Sequence, residues 1–548
     1  MGIPAFYKHL MRTVSGLTKK RRSVAPDLLA LDLNCAIYHC VRLQQQQTPF
    51  AERTRVSFER AVIDRTVAYI RQLDRHVVPH RLYVAVDGVA PMAKLKQQRM
   101  RRFKSAKGAE EEAAIKAAHL PIAARREGRE GREGQERWDT NAITPGTEFM
   151  EHLTEALYAF QESQKERVVV SPADEPGEGE QKLMNYIRAH SIKDAVVYGL
   201  DADLIVLALY HHATRGATVD LLREETEFGG GVKVNTIGEE QFLYLDTTHL
   251  ADVLVAQYAK EGAARTAFLV DFVGAMSLQG NDFVPHGMGL TIKNEGIERV
   301  LEFLRASPMP LVLLNEETKS VTYQRETLCL LVDRLAAEEE GQILTYSRKK
   351  LTARGGIGDT DLERALARYQ DQPLDWRVEE ALVRRVPVPG DARPRIQLRQ
   401  DWASRYDWMA FGGANPAAVA TAYCESLGWT LAYYSGAHVD SEWYYPWSLP
   451  PRFASLQAPL RALSSLPIPS ATRPPLTPKE QLAMVLPASS YRLLPPEYKA
   501  VCARNPWAFP IAWPVTSLGR RFLWECEPMI PIVSPAQIRR WIAEIEDP

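Results

Sequence analysis

Three short apolar runs end on an acid: LLALD (Leu28 to Asp32), LYVAVD (Leu82 to Asp87) and AVVYGLD (Ala195 to Asp201). Apolar runs of this length without polar alternation are the signature of strands buried on both faces, as in parallel sheets. Stretches between them repeat apolar residues at helical spacing, Ala61 to Leu73 and Glu148 to Phe160 among them. Strand and helix in alternation predict an α/β fold, a central, largely parallel twisted sheet flanked by helices. Right-handed crossovers then bring the three terminal carboxylates to one edge, the carboxyl ends of the strands, where such sheets hold ligands.

At 548 residues the chain exceeds one ordinary core. We divide it into a core carrying the acids (1–300), a helical connector (301–400) and a second helix-rich region (401–548). The last begins after the breaker run VPVPGDARPR, and includes a Pro-rich segment (446–478) expected to drape over the surface. Between Glu110 and Arg137 charge and glycine dominate, ending in the repeat REGREGREGQER, which reads as a solvated loop or frayed helix.

With 45% apolar and 25% charged residues the composition is that of a globular protein. No apolar run reaches the roughly 20 residues of a membrane span, the opening MGIPAFYKHL lacks a signal-peptide core, and Gly2 does not start a myristoylation signal. The expectation is a soluble intracellular protein with no membrane partner. KKRR (Lys19 to Arg22) resembles a short import signal, which leaves cytoplasm and nucleus both open. The six cysteines form no CxxC pair, against a zinc site or a disulfide framework. Net charge is −1, so any nucleic-acid affinity must come from how charge is distributed.

That distribution is uneven. Besides Asp32, Asp87 and Asp201, the chain places Glu178 and Glu180 in PGEGE, Asp203 in GLDADL and Asp282 in GNDFVP, close to glycines that permit tight turns. Two ionised carboxylates about 5 Å apart repel by roughly 3 kcal/mol at an effective dielectric near 20, so seven on one edge require cations. Oxygen-only ligands favour hard ions, Mg²⁺ or Mn²⁺. Two ions about 4 Å apart can activate water and stabilise the leaving oxygen of a phosphodiester. Directly after Asp87 comes the densest basic run, PMAKLKQQRMRRFKSAK. As a helix it puts Lys94, Gln98, Arg101 and Arg102 on one face, suited to a phosphate.

These residues lie in motifs that resemble the Xrn family of 5′-to-3′ exoribonucleases: MGIP, LDLN, DGVAPMAKLKQQRMRRF, ITPGTEFM, PGEGEQK, GLDADL and GNDFVPH, in the family's order. A weaker block follows in LGWTLAYYSG, WYYPW, KEQLAMVLP and LLPPEY. The resemblance implies a core related to PIN and flap-endonuclease folds, with Asp32, Asp87, Glu178, Glu180, Asp201, Asp203 and Asp282 holding two Mg²⁺ or Mn²⁺ ions. It implies that Lys94, Gln98, Arg101 and Arg102 bind the 5′-monophosphate of single-stranded RNA, which is degraded processively to mononucleotides. It further implies an aromatic clamp on the first base, with Trp443 and Tyr38 as candidates. Tyr38 stands where the family usually has His, and His39 next door leaves the register open; Ala5 stands where Lys is common. Long C-terminal accessory domains and a zinc knuckle are absent from this sequence. Two other readings stay open: a structure-specific DNA flap nuclease using the same acids, and a non-catalytic RNA-binding scaffold.

Overall fold

The computed structural model describes residues 3, 6–48, 50, 53–119, 138–199, 201–225, 232–234, 240–355, 357–372, 374, 376–474 and 476–546. Gly2, Ala5 and the repeat REGREGREGQER lie outside the described residues.

A seven-stranded sheet forms the centre: β1 (Thr18–Lys19), β2 (Leu28–Asp32), β3 (Arg81–Ala85), β4 (Val168–Ser171), β5 (Asp194–Tyr198), β6 (Thr218–Glu224) and β7 (Phe242–Leu245). Its order is β1-β7-β6-β5-β2-β3-β4. Strands β2 to β6 run parallel, and β7 and β1 close one edge antiparallel. The predicted largely parallel sheet is therefore present, and its three expected strands are β2, β3 and β5. Strand β2 sits in the middle with every residue buried. Its leucines alternate between two cores, Leu28 facing one and Leu29 and Leu31 the other.

Helices cover both faces, as crossovers in a parallel sheet require. Those that position the site are α1 (Phe6–Thr13), α2 (Leu33–Gln47), α3 (Arg55–Val77), α4 (Met92–Ala118), α5 (Glu148–Ser163), α6 (Gly179–Ala189), α7 (Asp203–Arg215), α8 (Arg265–Ser277), α9 (Arg325–Leu351) and α10 (Pro416–Ser435). One core gathers α2, α3 and α5, the other α1, α6, α7, α8 and α10. The start of α5 shows how a motif becomes structure. In ITPGTEFM, Thr147 caps the helix by accepting the N–H of Met150, and Gly146, at φ 86°, lies so close to Pro478 that a Cβ would stand 2.8 Å from that ring.

A third core fastens residues 476–541 to the start of α4, joining Met92 and Leu95 to Leu482, Val485 and Ile538. Through it runs Arg99, 2% exposed, which donates to the carbonyls of Pro531, Met484 and Ala508. The Pro-rich segment contains the helix Phe453–Ala462 and buries Leu466 and Leu476. The connector is less helical than expected. It carries two hairpins, Val312–Leu314 with Val321–Tyr323 and Val383–Val388 with Asp391–Leu398. The breaker run forms the second of these: Gly390, at φ 81°, makes its turn, and the pairing register shifts around Pro387, which has no N–H to give. Helix α4 continues through Ala118, so the charged stretch begins as ordered helix. Among the described residues no helix is long and apolar enough to cross a membrane.

Candidate active site and nucleic-acid interface

The acids meet at the carboxyl edge of β2, β3 and β5. Asp32 ends β2, Asp87 follows β3 by two residues, and Asp201 and Asp203 occupy the turn from β5 into α7. Asn34 accepts the backbone N–H of Asp87 at 3.0 Å, which explains its place in LDLN. Glu178 and Glu180 enter where α6 starts, and Lys182 in the same motif ties the ends of β3 and β4 by donating to Val86 O and Pro172 O. The glycine of PGEGE is forced by space: the Gly179 N–H reaches Asp87 Oδ1 at 2.7 Å, and a Cβ there would lie 2.7 Å from Asp32 Oδ1. Asp282 approaches from the turn after α8 and is joined to Glu178 through Lys94, whose ammonium lies 2.6 Å from Glu178 Oε2 and 2.8 Å from Asp282 Oδ2.

Electrostatics follow from this crowding. Burial, then the charge of Asp87, push Asp32 up to about 8; burial, then Asp282, push Asp203 up to about 7. Glu180 is held well above its ordinary range by burial, with Glu178, Asp203 and Asp32 adding to it against Lys94. Burial raises Glu178 too, opposed by Lys94 and by the Tyr433 hydroxyl, which donates to Glu178 Oε1 at 2.9 Å. For Asp282 burial again acts upward, but the Lys94 ammonium outweighs it and leaves the carboxyl below its usual value. One oxygen each of Asp32, Glu180 and Asp203 is buried with no hydrogen-bond partner. Unpaired buried anionic oxygens are costly, and hard divalent cations are the ligands that such a donor set fits.

Beside the acids runs α4. Arg101 and Gln97 line a cavity of about 440 Å³ that also contains Asp282. Gln98 is buried, and Arg102 is buried with its Nη1 donating to Thr144 Oγ1 at 2.7 Å, so ITPGTEFM also orients an arginine. Lys94 is directed at the acids, and the four phosphate candidates thus share one helix with three different surroundings.

The structure separates the aromatic candidates. Tyr38 is 42% exposed and lies near the Arg102 guanidinium. His39 is 3% exposed, its Nε2 2.7 Å from Glu240 and its Nδ1 facing the Arg42 guanidinium. An arginine can only donate, so Nδ1 accepts and the Nε2–H serves Glu240. With Glu224 nearby, that network holds the His39 ring inside the fold, whereas the Tyr38 ring is open to solvent. Trp443 stacks on Trp429 at 5.6 Å and donates to Glu425. It does not line the cavity. Trp524 does: it is 48% exposed, shares the cavity lining with Arg101 and carries the Lys293 ammonium 5.1 Å from its ring centre. Trp524 lies in none of the motifs singled out in the sequence, although basic and aromatic residues interleave in GRRFLW. Tyr433, inside LGWTLAYYSG, carries no local signal for its part, which is to tie α10 to Glu178.

Residues 1–225 match the family model described as XRN 5′-3′ exonuclease N-terminus, and residues 402–547 the one described as Xrn1 helical domain. This chain belongs to the Xrn family. Human 5′-3′ exoribonuclease 1 is 27% identical over 98% of the chain and 34% of its own length, and the Schizosaccharomyces pombe protein of that name 27% over 98% and 48%. The Saccharomyces cerevisiae protein is 34% identical over 52% of this chain and 19% of its own length. The chain therefore spans about a third to a half of the first two relatives. A solved bacteriophage T5 flap endonuclease bound to DNA and metal ions has 13% identity and a TM-score of 0.24, covering 51% of this chain and 74% of that one.

Proposed function

We propose that the chain hydrolyses single-stranded RNA processively from a 5′-monophosphate end, releasing mononucleotides, with two Mg²⁺ or Mn²⁺ ions held by Asp32, Asp87, Glu178, Glu180, Asp201, Asp203 and Asp282. The observation that carries this reading is the meeting of six of these acids, three with orphaned buried oxygens, beside a helix bearing Lys94 and Arg101, with Asp201 two residues before Asp203 in the same turn. Bound ions would supply an activated water and neutralise charge on the leaving oxygen. The chain's own residues do the rest. Arg101, with Gln98, Arg102 and Lys94, holds the terminal phosphate and so sets which bond meets the acids. Tyr38 and Trp524 offer faces for the first bases, and stacking of this kind tolerates any sequence. Tyr433 keeps Glu178 oriented as an acceptor.

Six free cysteines suit a reducing compartment, and we assign the protein to the cell interior, cytoplasm or nucleus. The decisive experiment is a time course on 5′-monophosphate, 5′-hydroxyl and capped RNA, and on flap DNA, with and without Mg²⁺. Mononucleotide release from 5′-monophosphate RNA alone, requiring metal and lost in Asp201→Ala, is the expected result. Preference for flap DNA would favour the structure-specific nuclease, and binding without cleavage the scaffold.

A further inference from the structure

The cavity beside Asp282 has a polar floor that neither metal ligation nor phosphate binding uses. Gln279 is 2% exposed, lines the cavity, and has no partner for either Oε1 or Nε2. Its place is made by Gly296, where a Cβ would stand 2.5 Å from Gln279 Oε1 and 2.8 Å from Thr291 O. Next to Asp282, Asn281 also lines the cavity. Its Oδ1 accepts the N–H groups of Phe283 and Val284, both at 2.9 Å, which fixes the amide's orientation. The group left over is Nδ2, a donor, buried and unpaired.

The other groups on this wall divide by chemistry. Arg101, Lys104, Lys293 and Arg520 are cations suited to phosphate oxygens, Glu525 and Glu527 are carboxylates, and Gln97 and Asn294 are further amides. Gln279 and Asn281 are neutral and stand two residues apart, offering between them a fixed donor and an uncommitted acceptor. A hydroxyl, which donates and accepts at once, complements that pair, and the 2′-hydroxyl is what distinguishes RNA from DNA at a given nucleotide.

We propose that Gln279 and Asn281 read the ribose 2′-hydroxyl of the nucleotide lying beside Asp282, accepting its proton at Gln279 Oε1 and donating to it from Asn281 Nδ2, so that this wall selects RNA over DNA. The inference rests on the nuclease reading and deepens it. A deoxyribose leaves both groups buried and unpaired, a penalty of about tenfold to a hundredfold for hydrogen bonds of this kind.

The test uses 5′-phosphorylated RNA oligomers carrying one 2′-deoxy nucleotide at successive positions from the 5′ end. Cleavage is measured on the parent protein, and binding in an Asp203→Asn background. One position near the 5′ end should show a loss of about tenfold or more in both readouts. Gln279→Met, which keeps the volume without the polar atoms, should bring that ratio below threefold by lowering the RNA value towards the deoxy value. Asn281→Asp retains the acceptor for Phe283 and Val284 while removing the donor, and should do the same if Gln279→Met fails to fold. A ratio near one at every position in the parent, or an undiminished ratio in both variants, overturns the proposal. A parent that binds RNA through the same position but never cleaves it would instead sink the nuclease reading and leave this one standing.

Discussion

Asp203→Asn tests the electrostatic logic of the site because the stability it gains without metal should be largely offset when metal is bound. Asp203 opens α7 at 1% exposure, with one oxygen unpaired. Burial, with Asp282 nearby, lifts its carboxyl from a usual 3.8 to about 7. A folded-state value above the unfolded one means that the folded chain holds the proton more tightly. Stability is therefore lost as pH rises from about 4 to about 7, and stays low above that. The gap corresponds to roughly 4 kcal/mol at pH 8. For a chain of this length the unfolding entropy makes each degree worth about 1 kcal/mol, so without metal Asp203→Asn should raise Tm by about 4 °C at pH 8. At pH 5, where the folded carboxyl is already protonated, the gain shrinks to about a third. Saturating Mn²⁺ should narrow that lead: at a hundred times Kd a ligand stabilises the parent by about 2.7 kcal/mol, the asparagine variant should lose most of that gain, and its advantage at pH 8 should fall to about 1–2 kcal/mol. Scanning calorimetry in EDTA and in Mn²⁺, at pH 5 and pH 8, gives all four values. A variant less stable than the parent in EDTA at pH 8, or one with an undiminished Mn²⁺ shift, would refute the reasoning.

The other predictions concern the strand path and the scaffold. Trp524→Ala should raise KM for 5′-phosphorylated RNA by a factor of about 5 to 150, as expected for one lost base stack, whereas Trp443→Ala should mainly lower Tm because its ring packs on Trp429; equal KM effects would contradict the assignment. Tyr433→Phe removes a hydrogen bond that holds Glu178 down, so the acidic limb of the pH–rate profile should move to higher pH, and an unmoved limb would argue against that contact. Lys350 and Glu379 form a buried pair at 2.8 Å, with side chains 0% and 2% exposed. Lys350→Met alone should cost about 3–5 kcal/mol by stranding the carboxylate, while Lys350→Met with Glu379→Leu should recover much of it; chemical denaturation would measure both.

What could be read from the sequence, and what could not, follows the range of the interactions involved. Leu28 to Asp32 is visible as a strand because every residue is buried, so its apolar run is uninterrupted, and the acid marks where it leaves the core. Strand β6 escapes the same reading because Asp220 and Glu224 interrupt it; both are buried, Glu224 only because Tyr69 and Tyr198 donate to it from α3 and β5. The choice between Tyr38 and His39 has the same cause: His39 is buried because Glu240, two hundred residues on, meets its ring, so local pattern could not rank the pair. Trp443 and Trp524 also look equivalent in sequence, each an aromatic among polar neighbours, until α10 supplies Trp429 to cover one of them. The acids are the exception, for a physical reason. A carboxylate that ends a buried strand is a local fact, and several of them on one sheet edge repel whatever the distant chain does, so the demand for a cation is written into the strand ends before any long-range contact forms. Long-range folding then decides which groups share that edge, Lys94 between Glu178 and Asp282 being its most direct contribution.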